Sequence, residues 1–401
     1  MKKRNIETAI KKYSKEYPAL AVVGPRQSGK TTLVRYLFPR HTYISLENLD
    51  IRSHAREDPR GFLDDYGNYL ILDEIQRVPE LFSYLQERID SNDHPGQYIL
   101  TGSQQFLLMD NVSQTLAGRI ITFHLYPFTV NELLEGQMDK NINTIFSVKK
   151  NHIPGGENID VVHMLFTGMY PRIHDKNLTP EKWIENYVMT YIERDIRSLV
   201  NIENLRLFEN FIKIAASHSG QVTNYASISN ATGISQPTVK KWLSLLETSG
   251  IIFFLQPHHQ NFNKRILKTP KIYFCDTGLL CFLLSIRNAS ELYNHPLYGN
   301  IFETFIISEF YKRLRHTGTI PPLHYWRDKS GNEIDLLVDF GKTLLPIEIK
   351  SSRTYNSDFK DTLRYWHNLK GNNVKKGFVL YNGESIIGSQ SDIPTVPWWM
   401  M

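Results

Sequence analysis

The sequence predicts an α/β protein: a parallel sheet with helices on both faces, then a helical and winged-helix region and a second, small α/β domain. Three observations predict this organisation. Between about residues 19 and 127, short apolar runs alternate with helical patterns, as in parallel sheets that are buried on both faces. A polar stretch rich in Lys, Asn and Gly follows at residues 136–160. Beyond residue 299, a helical pattern precedes three further strand-like runs.

The chain is long enough for several domains. At roughly 150 residues per domain, its 401 residues suggest two or three, and shifts in composition divide it further. We predict a sheet domain, a linker with a helical lid, a winged helix-turn-helix and a C-terminal α/β domain at residues 1–135, 136–204, 205–260 and 261–401. In the first domain, the apolar runs predict strands at residues 20–23, 42–46, 69–72, 98–101 and 120–125.

Composition narrows the class of protein. The apolar fraction of 41% and the charged fraction of 22% are ordinary for a globular protein. A net charge of +5 permits nucleic-acid binding without indicating it strongly. Cys275 and Cys281 match no zinc spacing and are typical of reduced core thiols. No apolar run approaches the ~20 residues of a membrane span, and no apolar segment follows the basic N-terminus, so we expect a cytoplasmic protein without a membrane partner.

A glycine-rich loop follows the first predicted strand directly. The pattern Gly-x-x-x-x-Gly-Lys-Thr stands between an apolar strand and a helix, which is the context of a P-loop. Its backbone N–H groups and the helix N-terminus are suited to phosphate oxygens. We expect ATP with Mg²⁺ here, with Lys30 reaching the β- and γ-phosphates and Thr31 ligating the metal. The predicted nucleotide-binding residues are Gly24, Pro25, Arg26, Gln27, Ser28, Gly29, Lys30, Thr31 and Thr32.

Polar residues at the ends of later strands complete the predicted site. Asp73 and Glu74 follow a buried strand, and ligands of open α/β sheets bind beyond the carboxyl ends of strands. We expect Asp73 to hold Mg²⁺ and Glu74 to activate the attacking water, which favours hydrolysis over transfer to a second substrate. Ser103 or Thr101 is a candidate γ-phosphate sensor, or else caps a loop. Arg119 is a candidate charge-stabilising arginine, acting in its own subunit or on a neighbour in a homo-oligomer, or else a solvated surface residue.

These motifs carry a resemblance to a known family. The chain resembles a group of prokaryotic AAA+-type ATPases that share three motifs: Gly-Pro-Arg-Gln-x-Gly-Lys-Thr-Thr, Leu-Asp-Glu-Ile-Gln and Thr-Gly-Ser. These motifs occur here at residues 24–32, 72–76 and 101–103. Leu-Ala-Gly-Arg at 116–119 and Gly-Met-Tyr-Pro at 168–171 are similar to further blocks of that group. The resemblance implies ATPase activity.

A helix-turn-helix is predicted after residue 224. A helical pattern ends at Gly233, and a second one begins after Ser235 with a proline in its first turn. An apolar strand follows and suggests a wing. In a DNA reader, the N-terminal end of the second helix enters the major groove, where this chain has polar and basic residues: Gln236, Thr238, Lys240 and Lys241. Contact with DNA and a role as a lid or protein contact both stay open.

The predicted elements of the C-terminal region bring acidic and basic residues onto neighbouring strands. Glu348 and Lys350 lie two apart on one predicted strand and therefore face the same side of it. Asp335 lies on the preceding strand, and Glu303 lies on a helix. This arrangement resembles the PD-(D/E)xK nuclease fold. The resemblance implies that Glu303, Asp335 and Glu348 form a second Mg²⁺ site, with Lys350 beside the attacking water. The alternative is an ordinary ion pair on a fold without this chemistry.

Two main functions compete. The first is an ATP-hydrolysing protein whose C-terminal half engages nucleic acid, with or without metal-dependent cleavage. The second is a nucleotide-switched signalling or scaffold ATPase whose C-terminal domains bind only protein. A small-molecule kinase is a weaker third reading, because Glu74 and the downstream domains count against it.

Overall fold

A computed structural model describes residues 2–102, 115–136, 155–191, 205–258, 269–369, 372, 374 and 376–401. The chain divides into two compact units. The first contains Met1–Phe128, Thr248–Ile251 and Arg313–Thr319, and the second contains Thr129–Glu247, Ile252–Lys312 and Ile320–Met401.

The helices and strands are numbered in chain order within the described residues. The α-helices are α1 Glu7–Tyr13, α2 Lys30–Leu37, α3 Leu49–Glu57, α4 Pro59–Tyr66, α5 Leu81–Ser91, α6 Val130–Leu133, α7 Val161–Thr167, α8 Pro171–Asp175, α9 Pro180–Tyr187, α10 Leu205–Ser217, α11 Tyr225–Thr232, α12 Gln236–Thr248, α13 Thr277–Leu283, α14 Ala289–Tyr293, α15 Tyr298–His316 and α16 Asp361–His367. The strands are β1 Ala19–Val23, β2 Thr42–Ser45, β3 Leu70–Asp73, β4 Tyr98–Gly102, β5 Ile120–His124, β6 Gln221–Val222, β7 Ile252–Pro257, β8 Lys271–Phe274, β9 Leu323–Arg327, β10 Glu333–Asp339, β11 Leu344–Lys350, β12 Phe378–Tyr381 and β13 Thr395–Pro397.

The first unit contains a five-stranded parallel sheet in the order β2-β3-β4-β1-β5. Alternate residues of β1 enter two separate hydrophobic cores: Ala21 and Val23 pack into one, Leu20 and Val22 into the other. Both faces of the sheet are therefore covered, and the predicted fold class is confirmed. Because all five strands are parallel, their carboxyl ends meet at one edge, where Asp73 lies beside Thr101.

The second unit contains an eight-stranded mixed sheet in the order β13-β12-β11-β10-β9-β7-β8-β6. The predicted hairpin at Gly341 is present, with Asp339 opposite Leu344. Strand β7 pairs with β8 in antiparallel and with β9 in parallel orientation. Backbone pairing therefore joins β7, which precedes the boundary predicted between residues 260 and 261, to two strands that follow it.

Helices α11 and α12 have the predicted spacing. Asn224 caps α11 through a bond from the Ser227 amide, and Gly233 ends it in the left-handed region at φ 74°. The Trp242 ring of α12 packs edge-on against the rings of Phe208 and Phe211, at 5.2 Å in each case. This packing orients α12 so that Gln236, Lys240 and Lys241 are exposed. Assignment of the element as a winged helix stays a prediction.

Among the residues that the structure describes, none of the helices has the length and apolar character that crossing a bilayer requires.

Candidate functional site

The glycine-rich loop joins β1 to the N-terminus of α2. Gly24 adopts φ 145°, and a Cβ there would clash with the backbone carbonyl of Leu125. Gly29 precedes α2 in the left-handed region at φ 95°. Glycine is therefore required at both positions, and the loop can bring its N–H groups close to a phosphate.

Lys30, the first residue of α2, points into this loop. Its side chain is buried, and Nζ donates to the carbonyl oxygens of Gly24 at 3.0 Å and Pro25 at 2.9 Å. Burial lowers the pKa of Lys30 to about 8, although the carboxylates of Glu74 and Asp73 act in the opposite direction. The ammonium group lies where a phosphate at the loop would meet it, as the P-loop arrangement requires.

The Asp73 carboxylate accepts hydrogen bonds from three hydroxyl groups. Thr31 Oγ1 lies 3.1 Å from both carboxylate oxygens, and Tyr43 donates to Oδ2 at 2.8 Å. Thr101 Oγ1 donates to Oδ1. Burial and then the bond to Asp73 raise the pKa of Tyr43 to about 12. Hydroxyl and carboxylate oxygens are the ligands that Mg²⁺ prefers, so Thr31 and Asp73 fit the metal of a nucleotide complex.

Glu74 has an unusual backbone for a residue with a side chain. Its φ is 58°, in the left-handed region, which costs a non-glycine residue energy and is frequent at active sites. Its Oε2 accepts a 2.5 Å hydrogen bond from Nε2 of Gln76, which is buried. The structure thus places Glu74 directly after β3, beside the Thr31–Asp73 contact. Sequence reasoning did not assign Gln76 a role, although it stands inside the quoted Leu-Asp-Glu-Ile-Gln motif.

The remaining loop residues have different environments. Pro25 and Ser28 are buried, and Ser28 Oγ has no hydrogen-bond partner among the described atoms. Gln27 and Thr32 are exposed. Arg26 lies 3.4 Å from Glu47, which also pairs with Arg77.

Arg119 is not brought to this site. It immediately precedes β5, and its carbonyl accepts from the Ala19 amide at the beginning of β1. A strand of five residues spans about 16 Å, so Arg119 lies at the opposite edge of the sheet from the loop. Its guanidinium bonds to both carboxylate oxygens of Asp90, at 2.5 and 2.9 Å. The structure therefore does not support a role of Arg119 at the nucleotide site of its own subunit. The other candidate, Ser103, lies outside the described residues.

Arg4 is a contact of the loop that sequence reasoning missed. Its side chain donates to the Ser28 carbonyl at 2.9 Å and to the Tyr126 carbonyl at 2.7 Å. The guanidinium lies 4.8 Å from the centroid of the Phe128 ring, and the residue is 3% exposed. It therefore joins the loop to the segment after β5. The sequence signal was a single arginine in a basic N-terminal run, which predicts a solvated residue.

A second cluster lies in the other unit, around Glu303 of α15. Oε1 of Glu303 accepts from Lys271 at 3.0 Å and from the Tyr273 hydroxyl at 2.6 Å, and both donors lie on β8. Lys271 also pairs with Glu333. Burial raises the pKa of Glu303 to about 7, against the effect of Lys271. The sequence did not predict either β8 residue, because the resemblance rests on a Glu-x-Lys pair, a strand Asp and a helix Glu, and β8 carries none of these.

Asp335, Glu348 and Lys350 adjoin this cluster. Asp335 Oδ2 accepts from the Ile349 amide at 2.8 Å, and Lys350 donates to Glu348 Oε2 at 2.8 Å. Burial and then Asp335 raise the pKa of Glu348 well above its ordinary value. Glu303 and Asp335 also interact electrostatically. The structure therefore brings together the four residues that the nuclease resemblance selected.

The predicted Mg²⁺ site of Glu303, Asp335 and Glu348 stays a prediction. Among the described residues, no group of three or more His, Cys, Asp or Glu side chains is placed to hold a metal ion. Lys271 and Tyr273 take one oxygen of Glu303, and the Ile349 amide takes one oxygen of Asp335. The cluster is a buried network of ion pairs and hydrogen bonds.

The first unit has the parallel sheet, the glycine loop and the acidic strand end of a P-loop fold. In agreement, residues 16–134 match the family model described as "AAA domain", which supports ATP binding. Residues 158–290 and 298–401 match two models described as domains of unknown function, DUF8612 and DUF4143.

Similar proteins occur in bacteria and archaea. An uncharacterized protein of Mycobacterium tuberculosis is 28% identical over an alignment of 359 positions, which covers 88% of this chain and 75% of the relative. An uncharacterized protein of Methanocaldococcus jannaschii is 23% identical over an alignment of 415 positions, which covers 94% of this chain and 86% of the relative.

Two solved structures show weaker likeness. The Walker-type ATPase PABY2304 of Pyrococcus abyssi is 16% identical with a TM-score of 0.40, over 69% of this chain and 94% of that one. The RuvB Holliday junction branch migration motor of Thermotoga maritima is 17% identical with a TM-score of 0.27, over 62% of this chain and 86% of that one.

Proposed function

We propose that the protein hydrolyses ATP and that its C-terminal half engages nucleic acid. The observation that carries the first part is the contact of Thr31 with both oxygens of Asp73, at 3.1 Å. It joins the beginning of α2 to the end of β3 and leaves the adjacent Glu74 at the same edge of the sheet. A P-loop, a carboxylate that orders a metal and a second carboxylate for water are the parts that ATP hydrolysis needs.

The roles follow from position. The loop amides and the α2 N-terminus hold the phosphates, and Lys30 adds a positive charge beside the β- and γ-phosphates. Thr31 and Asp73 hold Mg²⁺, which neutralises charge on the phosphate oxygens when it is bound. Glu74 orients the attacking water and accepts its proton.

Turnover of ATP by the purified protein tests this assignment. Glu74→Gln should lower kcat by about 10²- to 10⁴-fold, the usual contribution of a general base, with ATP binding retained. Lys30→Ala should weaken ATP binding itself. Glu80→Gln and Lys11→Ala are matched controls, because both side chains are exposed in the same unit. Turnover that survives in Glu74→Gln and Lys30→Ala would show that the active site lies elsewhere.

The support for nucleic-acid binding is the exposed first part of α12. Gln236, Lys240 and Lys241 face solvent, and Thr238 is half-buried. This end of the second helix of a helix-turn-helix is the part that reads DNA. DNA affinity should fall steeply as salt rises, and the double variant Lys240→Ala/Lys241→Ala should bind at least tenfold more weakly than Lys329→Ala. No binding at low salt would exclude the nucleic-acid partner.

One observation favours the alternative of a nucleotide-switched scaffold that binds protein. The C-terminal carboxylates are paired with lysines, as in a binding domain without chemistry of its own. ATP hydrolysis measured with and without DNA separates the two functions. Stimulation by DNA supports the first, whereas unchanged turnover together with absent DNA binding supports the scaffold.

For Arg119, we propose only that it stabilises charge at the nucleotide site of a neighbouring copy of the chain. Its partly exposed position at the far edge of the sheet suits such a role in a homo-oligomer, although there it must leave Asp90. Sedimentation with and without ATP measures the association. The domain boundaries predicted at 135, 204 and 260 also remain proposals.

A further inference from the structure

We propose that Lys271 is a built-in cation of the C-terminal cluster, which takes the place of a divalent metal beside Glu303. The cluster would then be a buried, metal-independent ion-pair network rather than a hydrolytic centre. The inference goes beyond the proposed function and does not depend on ATP hydrolysis.

The position of Lys271 carries the argument. It lies on β8, inside the eight-stranded sheet between β7 and β6, and is 2% exposed. Its ammonium group contacts Glu303 Oε1 at 3.0 Å, pairs with Glu333 and lies 5.7 Å from the centroid of the Tyr325 ring. A lysine held by two carboxylates and an aromatic ring inside a sheet is a fixed part of the fold, unlike a surface lysine that can swing away.

The charges of the cluster agree with this role. Four carboxylates lie near three basic groups, and each basic group pairs with at least one of the acids. The carboxylates are Glu303, Glu333, Asp335 and Glu348, and the basic groups are Lys271, Arg327 and Lys350. The network is thus nearly neutral without any added ion. A divalent cation at Glu303 would meet the Lys271 ammonium on the same oxygen, where like charges repel in a poorly solvated site.

Hydrogen bonds engage one oxygen each of Glu303, Asp335 and Glu348, and Oε1 of Glu348 is buried without a hydrogen-bond partner among the described atoms. Glu303 Oε1 already accepts from two donors, Lys271 and Tyr273. Mg²⁺ demands near-octahedral oxygen coordination, and the described cluster does not place three carboxylates around one point. Lys350, whose side chain is one-third exposed, is itself paired with Glu348. The cluster therefore suits an ion-pair network that needs no metal.

Binding of Mn²⁺ to the full chain without nucleotide tests the inference. The free Mn²⁺ signal in electron paramagnetic resonance gives the number and affinity of bound ions. We expect wild type, Glu303→Gln and Glu348→Gln to bind Mn²⁺ alike, because the cluster holds none. Mn²⁺ that is bound by wild type and lost in either variant would overturn the proposal, and this comparison needs no change at Lys271.

Removal of the lysine should create the metal site. We expect Lys271→Met to bind Mn²⁺ at least tenfold more tightly than wild type, and Glu303→Gln in the same chain to abolish the gain. Lys271→Arg keeps the charge and should show no gain. Circular dichroism confirms that the variants are folded. A folded Lys271→Met protein that gains no Mn²⁺ would refute the replacement, whatever the outcome of the ATPase and DNA measurements.

Discussion

Replacing Arg4 by methionine removes the link between the P-loop and the segment after β5. Arg4 donates two hydrogen bonds from a buried guanidinium, to Ser28 and Tyr126. Bonds that involve a charged group contribute about 1.5–3 kcal/mol each. Methionine keeps much of the apolar stem, so we expect a loss near the lower limit, about 3 kcal/mol for two bonds.

Thermal unfolding of the full chain measures this loss. For a unit of this size, 1 kcal/mol corresponds to roughly 2–4 °C in Tm, so the unfolding of the first unit should shift down by about 6–12 °C. Lys3→Met is the matched control, because Lys3 is exposed and one residue away. If Arg4→Met unfolds within about 1 kcal/mol of Lys3→Met, the two buried bonds do not stabilise the unit and the reasoning fails.

Three further predictions concern the nucleotide site. Burial lowers the pKa of Lys30 to about 8, so the charged form that binds phosphate is lost as pH rises through 8. Above that pH, the Kd for ATP should rise by up to about tenfold per pH unit. A Kd that stays constant from pH 7 to 9.5 would contradict this prediction. Thr101→Val removes a buried hydrogen-bond donor to Asp73 and should weaken the binding of Mg²⁺–ATP by about 1–3 kcal/mol. The binding of ATP without Mg²⁺ should stay nearly unchanged, which calorimetry with and without EDTA measures. Arg119→Ala should leave the Kd for ATP within about twofold, less than 0.5 kcal/mol, because Arg119 is bound to Asp90 at the opposite edge of the sheet; a tenfold loss in the same assay would place it at the nucleotide.

The first unit was predictable because its signals are local. Five apolar runs predicted five strands, and an eight-residue motif identified the loop between β1 and α2. The position of Arg119 was also within reach of the sequence. A residue that precedes a parallel strand lies at the edge opposite to a loop that follows one, so its distance from Lys30 follows from strand direction alone.

The C-terminal cluster was predictable only in part. The spacing of Glu348 and Lys350 placed them on a common face, and the resemblance added Asp335 and Glu303. No local pattern indicated that Lys271 would reach Glu303, because β8 and α15 are separate elements whose contact depends on how the sheet is assembled. The same contact decides between a metal site and a closed ion-pair network.

By itself, the sequence determined what depends on neighbours in the chain: strand and helix periods, the glycine turns of the loop, and the acids directly after β3. Tertiary structure decided which distant groups meet. Strand order places Tyr43 and Thr101 on Asp73, and folding brings Arg4 to a carbonyl 122 residues away. Such contacts depend on the packing of whole elements, and no local pattern of residue types encodes that packing.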